Sequence, residues 1–441
     1  MKIFSKENGG FRRVPLLILY TLLSPFYFSH FFVEPPINPY SPDLILYKGL
    51  KDIILLAIII ALSLRYILEG KLISRDAAPI ISFSLYALAF AGIVLILGEA
   101  GIIDLIASQD VLLFSLAFPF FIGELRHANL KIDTIVAWII KVCIVVAILG
   151  IIESLFLGVQ QIYFQDYRAA STMFHPNIFG WTMGFCSVLS YVEYMFKSQR
   201  NGWIILVILF LIAAVVSGSR SAVILSLSTM ILLTVVGWRR FVKKTILFLF
   251  MLMIIITISS FLIHESPNIE RSVSRQLELS VENGFEFPSA QIRVDNFKTA
   301  LSYLGSWDAL LLGKYSYNSE AQKDINNLVS DNFYLQLWAN YGFFGLIFFL
   351  GSLGIVLLRW HIRSRHLPMQ HHRYSYLLGL FIANNCYFLF LGGISSSIGN
   401  FPIGLFYWLI NAGLVVEITH LGGKTNFLRF SQRALAKDQD H

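Results

Sequence analysis

The chain has 441 residues, of which 56% are hydrophobic and 14% charged, with a formal net charge of +7. Soluble domains average about 25% charged residues, so water is excluded as the main solvent. The positive charge sits in short connections at the ends of apolar runs, as membrane topology requires, and this distribution argues against a nucleic-acid partner.

Crossing a bilayer core takes about 20 apolar residues of helix, and in lipid only helices or closed barrels satisfy the backbone. Runs such as 203–216, 245–263 and 333–358 approach or exceed that length without alternating, which selects helices. Twelve spans are expected, near 14–32, 46–66, 77–98, 110–124, 134–156, 175–196, 203–217, 221–237, 245–263, 333–358, 374–393 and 401–419. The first follows Arg12 and Arg13 and leads into Pro35 and Pro36 without a small-residue cleavage site, so it reads as a retained helix. The fourth is short and is expected to be tilted or broken. Cys143, Cys186 and Cys386 lie far apart inside apolar runs and read as packing residues.

Counting Lys and Arg orients the chain. One side collects Arg12, Arg13, Arg65, Lys71, Arg126, Lys131, Lys197, Arg200, Arg239, Arg240, Lys243, Lys244, Arg359, Arg363, Arg365, Arg373 and the basic tail. Both termini are therefore expected in the cytoplasm. The expected fold is all-α, a polytopic integral membrane protein with spans 1–9 in residues 1–263. An outward loop follows in 264–332, then spans 10–12 in 333–420 and a tail at 421–441, disordered or interfacial. The loop is too long for a plain connector. Amphipathic material at 268–281 and 289–304, with Pro267 and Pro288 near the starts, predicts two or three helices forming a lid or ledge.

Few basic residues remain on the outward side. Arg168 lies seven residues before His175, in a stretch that continues through Pro176 and Asn177. An interfacial arginine and a helix-capping asparagine are the plain alternative there. Arg220 sits in a turn rich in serine and glycine, either facing a cavity or snorkelling to headgroups. Arg293 lies in the expected loop helix among many other charges. Asp331 and Asn332 stand where the loop enters span ten, as an N-cap or as a general base with a polar companion. Glycines 342, 345, 351 and 354 read as close helix packing. No metal or cofactor motif is present. Acidic and basic residues inside spans are few, chiefly Lys141, Glu153 and Glu193, which weakens an ion-coupled transporter.

Arginine forks suit phosphates. Outside the cytoplasmic membrane the available phosphate of that kind is a lipid-linked pyrophosphate, whose departure as a leaving group arginines would stabilise without a metal. Tyr163, Phe164, Tyr167, Tyr315, Tyr317 and Tyr334 fall on the same side and are candidates for stacking on sugars, or for an interfacial aromatic belt.

Three segments, Arg168–Gly180 (RAASTMFHPNIFG), Ser217–Ala222 (SGSRSA) and Asp331–Gly345 (DNFYLQLWANYGFFG), resemble in order and spacing the signature regions of the O-antigen ligase/polymerase superfamily. The resemblance implies a GT-C-like helical glycosyltransferase, metal-independent and without a cofactor, acting on undecaprenyl-pyrophosphate-linked glycan. It implies that Arg168, Arg220 and Arg293 hold the pyrophosphate and that Asp331 or His175 is the catalytic base. Asn177 and Asn332 would orient sugar or phosphate. Asp331 stands where similar ligases have a histidine before the asparagine, so a Wzy-type polymerase is expected ahead of an O-antigen ligase. A transporter that forms no bond is the third reading. The expected partners are the lipid-linked glycan, the bilayer, a chain-length regulator and a flippase.

Overall fold

A computed structural model describes residues 14–26, 42–70, 74–98, 110–156, 169, 171–173, 175–197, 202–237, 242, 246, 288–329, 332–365, 372–394 and 401–437. Among them there are helices and turns and no strand. The expected ninth span and the segment 268–281 lie outside the described residues.

The helices are α1 (Leu16–Leu23), α2 (Pro42–Leu68), α3 (Ala78–Ile96), α4 (Asp110–His127) and α5 (Ile132–Phe156). Next come α6 (Pro176–Val192), extended by a π-helical turn over Glu193–Lys197, α7 (Gly202–Val216) and α8 (Arg220–Gly237). Three shorter helices follow, α9 (Pro288–Leu304), α10 (Trp307–Leu312) and α11 (Ser319–Val329). The chain ends in α12 (Phe333–Arg365), α13 (His372–Ile394) and α14 (Ile403–Lys437). Six of these, α3, α5, α8, α12, α13 and α14, are long and apolar enough to cross a membrane, and the protein is a multi-pass helical membrane protein. Helix α4 contains Pro119, whose missing N–H interrupts the ladder within the expected short fourth span.

Helix α14 occupies the centre. Over 18 residues of its apolar stretch 83% are buried, against 39% over the same length of α3. Its Trp408 ring packs against Phe118 of α4 at 5.2 Å and Phe349 of α12 at 6.3 Å. The helix continues to Lys437, through the segment expected as a tail. Phe427, Phe430 and Ala434, with Leu428 and Leu435, recur there at helical spacing.

Because successive long helices alternate in direction, the bundle has two chemically distinct ends. At one end Arg65 pairs with Glu124, Arg126 and Arg363 with Asp76, Lys197 with Asp133 and Glu193, and Arg373 with Asp133 and Glu417. At the other end lie the starts of α6, α8 and α12. Two expected glycine contacts separate here. Gly345 packs against Tyr341 and Tyr86, whereas a Cβ at Gly351 or Gly354 would meet nothing within 4 Å. Those two glycines face open space, so their spacing is not a packing seam among the described residues.

Candidate functional site

The turn before α8 is tightly built. Gly218 adopts a left-handed φ of 66°, Ser217 Oγ donates to Ala214 O at 2.6 Å, and Ser219 N–H donates to Ser217 Oγ at 3.2 Å. These bonds end α7 and start α8 at Arg220, whose side chain is exposed. The segment that follows Arg168 lies against this turn, because Ala169 N–H donates to Val216 O at 3.2 Å. It is fixed from behind as well: Ser171 N–H donates to Glu153 Oε2 at 2.6 Å, and Thr172 Oγ1 donates to Pro25 O at 2.6 Å. Glu153 is thus an anchor for the segment rather than a charge in a transport path.

Helix α6 starts beside the same turn. Trp181 Nε1 donates to Ser221 Oγ at 3.0 Å. A Cβ built on Gly180 would stand 2.2 Å from Ser217 Oγ and 2.7 Å from Ser219 Cβ. One built on Gly184 would stand 3.1 Å from Ala222 O. Only glycine at these two positions lets the helices approach so closely.

Helix α13 connects this pair to the start of α12. Tyr387 Oη donates to Trp181 O at 2.8 Å, Tyr334 Oη donates to Leu389 O at 2.7 Å, and Asn332 Nδ2 donates to Gly393 O at 3.0 Å. Three helices therefore begin at one end of the bundle, held by the last turns of α13. Their dipoles point partial positive charge the same way as Arg220.

Two polar side chains at this end cap helices. His175 Nδ1 accepts from Asn177 N–H at 3.0 Å, capping α6. In the neutral ring an accepting Nδ1 assigns the proton to Nε2, so His175 is arranged as a donor. Asn332 Oδ1 accepts from the N–H groups of Tyr334 and Leu335, both at 3.0 Å. With its amide nitrogen on Gly393, Asn332 is first of all a cap and a tie between α12 and α13.

The family comparison adds to this geometry. The O-antigen ligase family model matches residues 205–350, from within α7 to the middle of α12. The match takes in about a third of the chain, and there the chain is similar to the O-antigen ligase family. No curated protein matches the chain. The matched region includes the Arg220 turn and the Asn332 segment, and the segment around His175 lies ahead of it while packing directly on it.

Within the matched region, α9 and α11 pack as a ledge on α12. Ala300 and Leu304 of α9, Ile325 and Val329 of α11, and Leu335 and Ala339 of α12 make a separate small core. Tyr303 and Tyr317 close one end of the α9–α11 hairpin, with rings 5.6 Å apart and Tyr317 Oη donating to Tyr303 O at 2.6 Å. Arg293 is half-exposed and lies ten residues, about 15 Å of helix, from Tyr303. That puts it toward the open end, where the chain returns to Asn332. Arg168 and Asp331 lie outside the described residues, while their neighbours Ala169 and Asn332 are fixed as above.

The expected sugar-stacking tyrosines are otherwise engaged. Tyr315 is fully buried between Phe90 of α3 and the ledge, with ring centroids 6.3 Å apart. Tyr317 closes the hairpin and Tyr334 bonds α13. Tyr163, Phe164 and Tyr167 lie outside the described residues. Sequence reading missed Lys314, a cation only 4% exposed whose Nζ donates to Asn326 Oδ1 at 2.9 Å. It also missed the kink at Gly342, where φ is 70° and a Cβ would stand 2.3 Å from Leu311 O. The available signals were a lysine between Gly313 and Tyr315 after an apolar run, and a glycine within an otherwise helical pattern.

Proposed function

We propose that this protein is a polysaccharide polymerase of the bacterial cytoplasmic membrane, transferring glycan from undecaprenyl pyrophosphate to a lipid-linked repeat unit on the outer face. The observation that carries the reading is the pair of hydrogen bonds from Ala169 to Val216 and from Trp181 to Ser221. They bring Ala169, which follows Arg168, to the turn that presents Arg220, which supports both arginines meeting one diphosphate. The superfamily match over residues 205–350 supports a glycosyltransferase-type reaction on a lipid-linked glycan.

In this reaction the acceptor hydroxyl loses its proton to a base, its oxygen bonds to the anomeric carbon, and the bond from that carbon to the pyrophosphate breaks. Undecaprenyl pyrophosphate leaves with the electron pair. Arg168 and Arg220 stabilise that charge, with Arg293 reaching in from the ledge. No metal or cofactor is required. Asp331 is the preferred base, since His175 is committed as a cap through Nδ1 and offers a proton from Nε2. His175, Asn177 and Asn332 then orient the donor. The basic end of the bundle is cytoplasmic under the positive-inside rule, with both termini there and twelve spans in all. A chain-length regulator and a flippase would be its natural partners.

A second reading is favoured by the name of the matched family, which is that of the O-antigen ligases. The experiment is glycan length on cells lacking the native gene, complemented with wild type or Arg220→Ala at matched membrane levels. A long ladder from wild type and single repeats from the mutant are expected. A full ladder from the mutant removes Arg220 from the mechanism. A wild type that makes no ladder but changes which acceptor carries the glycan is a ligase, and one that does neither while moving glycan is a transporter.

A further inference from the structure

At the end of the bundle opposite Arg220, three guanidiniums gather around one carboxylate. Asp76, just ahead of α3, is 10% exposed at its side chain. It pairs with Arg126 Nη2 at 3.2 Å and with Arg363 Nη1 at 2.7 Å. Arg126 also donates to Ser74 Oγ at 3.0 Å. Arg359, one turn before Arg363 on α12, donates to Arg75 O at 3.1 Å. The neighbouring carboxylates are engaged elsewhere, Glu124 with Arg65 and Glu417 with Arg373. The cluster thus holds more positive than negative charge.

Beside Asp76 opens a shallow surface cleft, walled by Arg359, Arg363 and Trp360 with the apolar side chains of Val356, Val415 and Ile418. Trp360 is 3% exposed and stacks on Phe381 with ring centroids 3.9 Å apart. Its indole N–H has no hydrogen-bond partner among the described residues. A buried donor left unmade is costly, and Trp360 lines the same cleft as the surplus positive charge. The occupant that meets both conditions carries anionic oxygens. On the flank of α12 next to the cleft, Ile355, Leu358 and Ile362 are exposed along one stripe. That stripe and the apolar half of the cleft set acyl chains directly beside the guanidiniums, so a lipid can meet both at once.

We propose that this cleft binds the headgroup phosphate of an anionic phospholipid. Arg359 and Arg363 supply charge-assisted hydrogen bonds to the phosphate, the Trp360 indole N–H supplies a further donor, and the acyl chains lie along Ile355, Leu358 and Ile362. Basic pockets between membrane helices take such headgroups because the charge and the depth match. The assignment rests on the helical membrane fold and is independent of the polymerase reading.

The test uses the full-length protein in neutral detergent, titrated with phosphatidylglycerol, phosphatidylcholine or inorganic phosphate, with binding read by native mass spectrometry and by thermal unfolding. Variants Arg359→Gln and Trp360→Phe are compared, the second keeping the ring stack while deleting the N–H. Wild type is expected to bind phosphatidylglycerol about tenfold more tightly than phosphatidylcholine, since both carry the phosphate but the choline ammonium cancels its charge beside the arginines. Arg359→Gln should lose most of that preference. Trp360→Phe should weaken both lipids alike by about tenfold, the worth of one charge-assisted hydrogen bond. Both variants should unfold within a few degrees of wild type without lipid. Equal binding of the two lipids by wild type overturns the proposal. So does an unchanged preference in Arg359→Gln together with unchanged affinity in Trp360→Phe. Protection of wild type by inorganic phosphate alone, equal to that by phosphatidylglycerol, overturns the lipid as occupant.

Discussion

The Ser221 hydroxyl accepts a hydrogen bond from the Trp181 indole nitrogen across 3.0 Å, joining the second turn of α6 to the first turn of α8. Ser221 follows Arg220 directly, so this contact fixes how the arginine is presented relative to His175 and Asn177. The same tryptophan's carbonyl accepts from Tyr387, which links the pair to α13.

Replacing Trp181 with Phe keeps the ring and deletes the donor. The expected cost is about 1 kcal/mol of stability, the net worth of one neutral hydrogen bond, with a severalfold drop in glycan polymerised per cell. Ser221→Ala should cost as much or more, because it leaves the indole N–H without its acceptor. The double variant should resemble the worse single one, since both changes remove one interaction. Full additivity of the two effects in a ladder assay would show that the residues act separately.

Glycines supply a sharper contrast. A methyl group at Gly180 meets Ser217 and Ser219 at distances no real Cβ tolerates, whereas one at Gly351 meets nothing. Gly180→Ala is expected to destabilise the protein by about 1–3 kcal/mol through overpacking and to impair polymerisation by displacing the Arg220 turn. Gly351→Ala should be neutral or slightly stabilising. Thermal unfolding in detergent checks both, and equal midpoints for the two variants would contradict the close approach of α6 and α8.

That contrast also shows where sequence reading stopped. The polar turn at 217–219, the helix begun by Pro288 and the apolar spans were legible because their signals are local: a glycine with positive φ, a proline at a first turn, a period of hydrophobicity. Which glycines pack is not local. Gly351 and Gly354 share the three- and four-residue spacing of a packing seam, yet face open space, while Gly180 and Gly184 meet a helix forty residues away in sequence. Lys314 is hidden for the same reason, since its burial depends on Asn326 and on the return of the chain to α12. At the site, the arginine turn and an N-cap at 331–332 were legible in sequence, but the capping of α6 by His175, where an asparagine was the expected cap, and the tie from Asn332 to Gly393 needed the folded chain.

Asn332 separates a structural role from a substrate role. Asn332→Ala removes the cap on α12 and the bond to Gly393, and is expected to cost about 1–2 kcal/mol. Asn332→Ser keeps a capping oxygen while losing the tie to α13, so it should recover part of that stability. Paired measurements of unfolding and of polymer length decide the matter. Activity that follows stability across the two variants identifies a cap, whereas loss of polymer in a Ser variant of near-normal stability identifies contact with the glycan.

At the basic end, Arg373 of α13 joins two other helices, bonding Asp133 of α5 at 2.5 Å and Glu417 of α14 at 2.7 Å. Lys197 closes the network onto Asp133 and onto Glu193, which also accepts from Tyr376 Oη. Removing Arg373 leaves three carboxylates facing one lysine. A fully buried pair broken on one side costs about 3–5 kcal/mol, but Arg373 and Asp133 are about a quarter exposed, so a loss of about 2 kcal/mol is expected for Arg373→Met after allowing for solvent screening. Adding Asp133→Asn removes one of the stranded charges and should restore part of the loss. Thermal unfolding at low and at high salt reads the result. A double variant less stable than Arg373→Met would mean that Asp133 is held mainly by Lys197 and that Arg373 contributes instead through its guanidinium over the Tyr376 ring, 5.4 Å from the ring centroid.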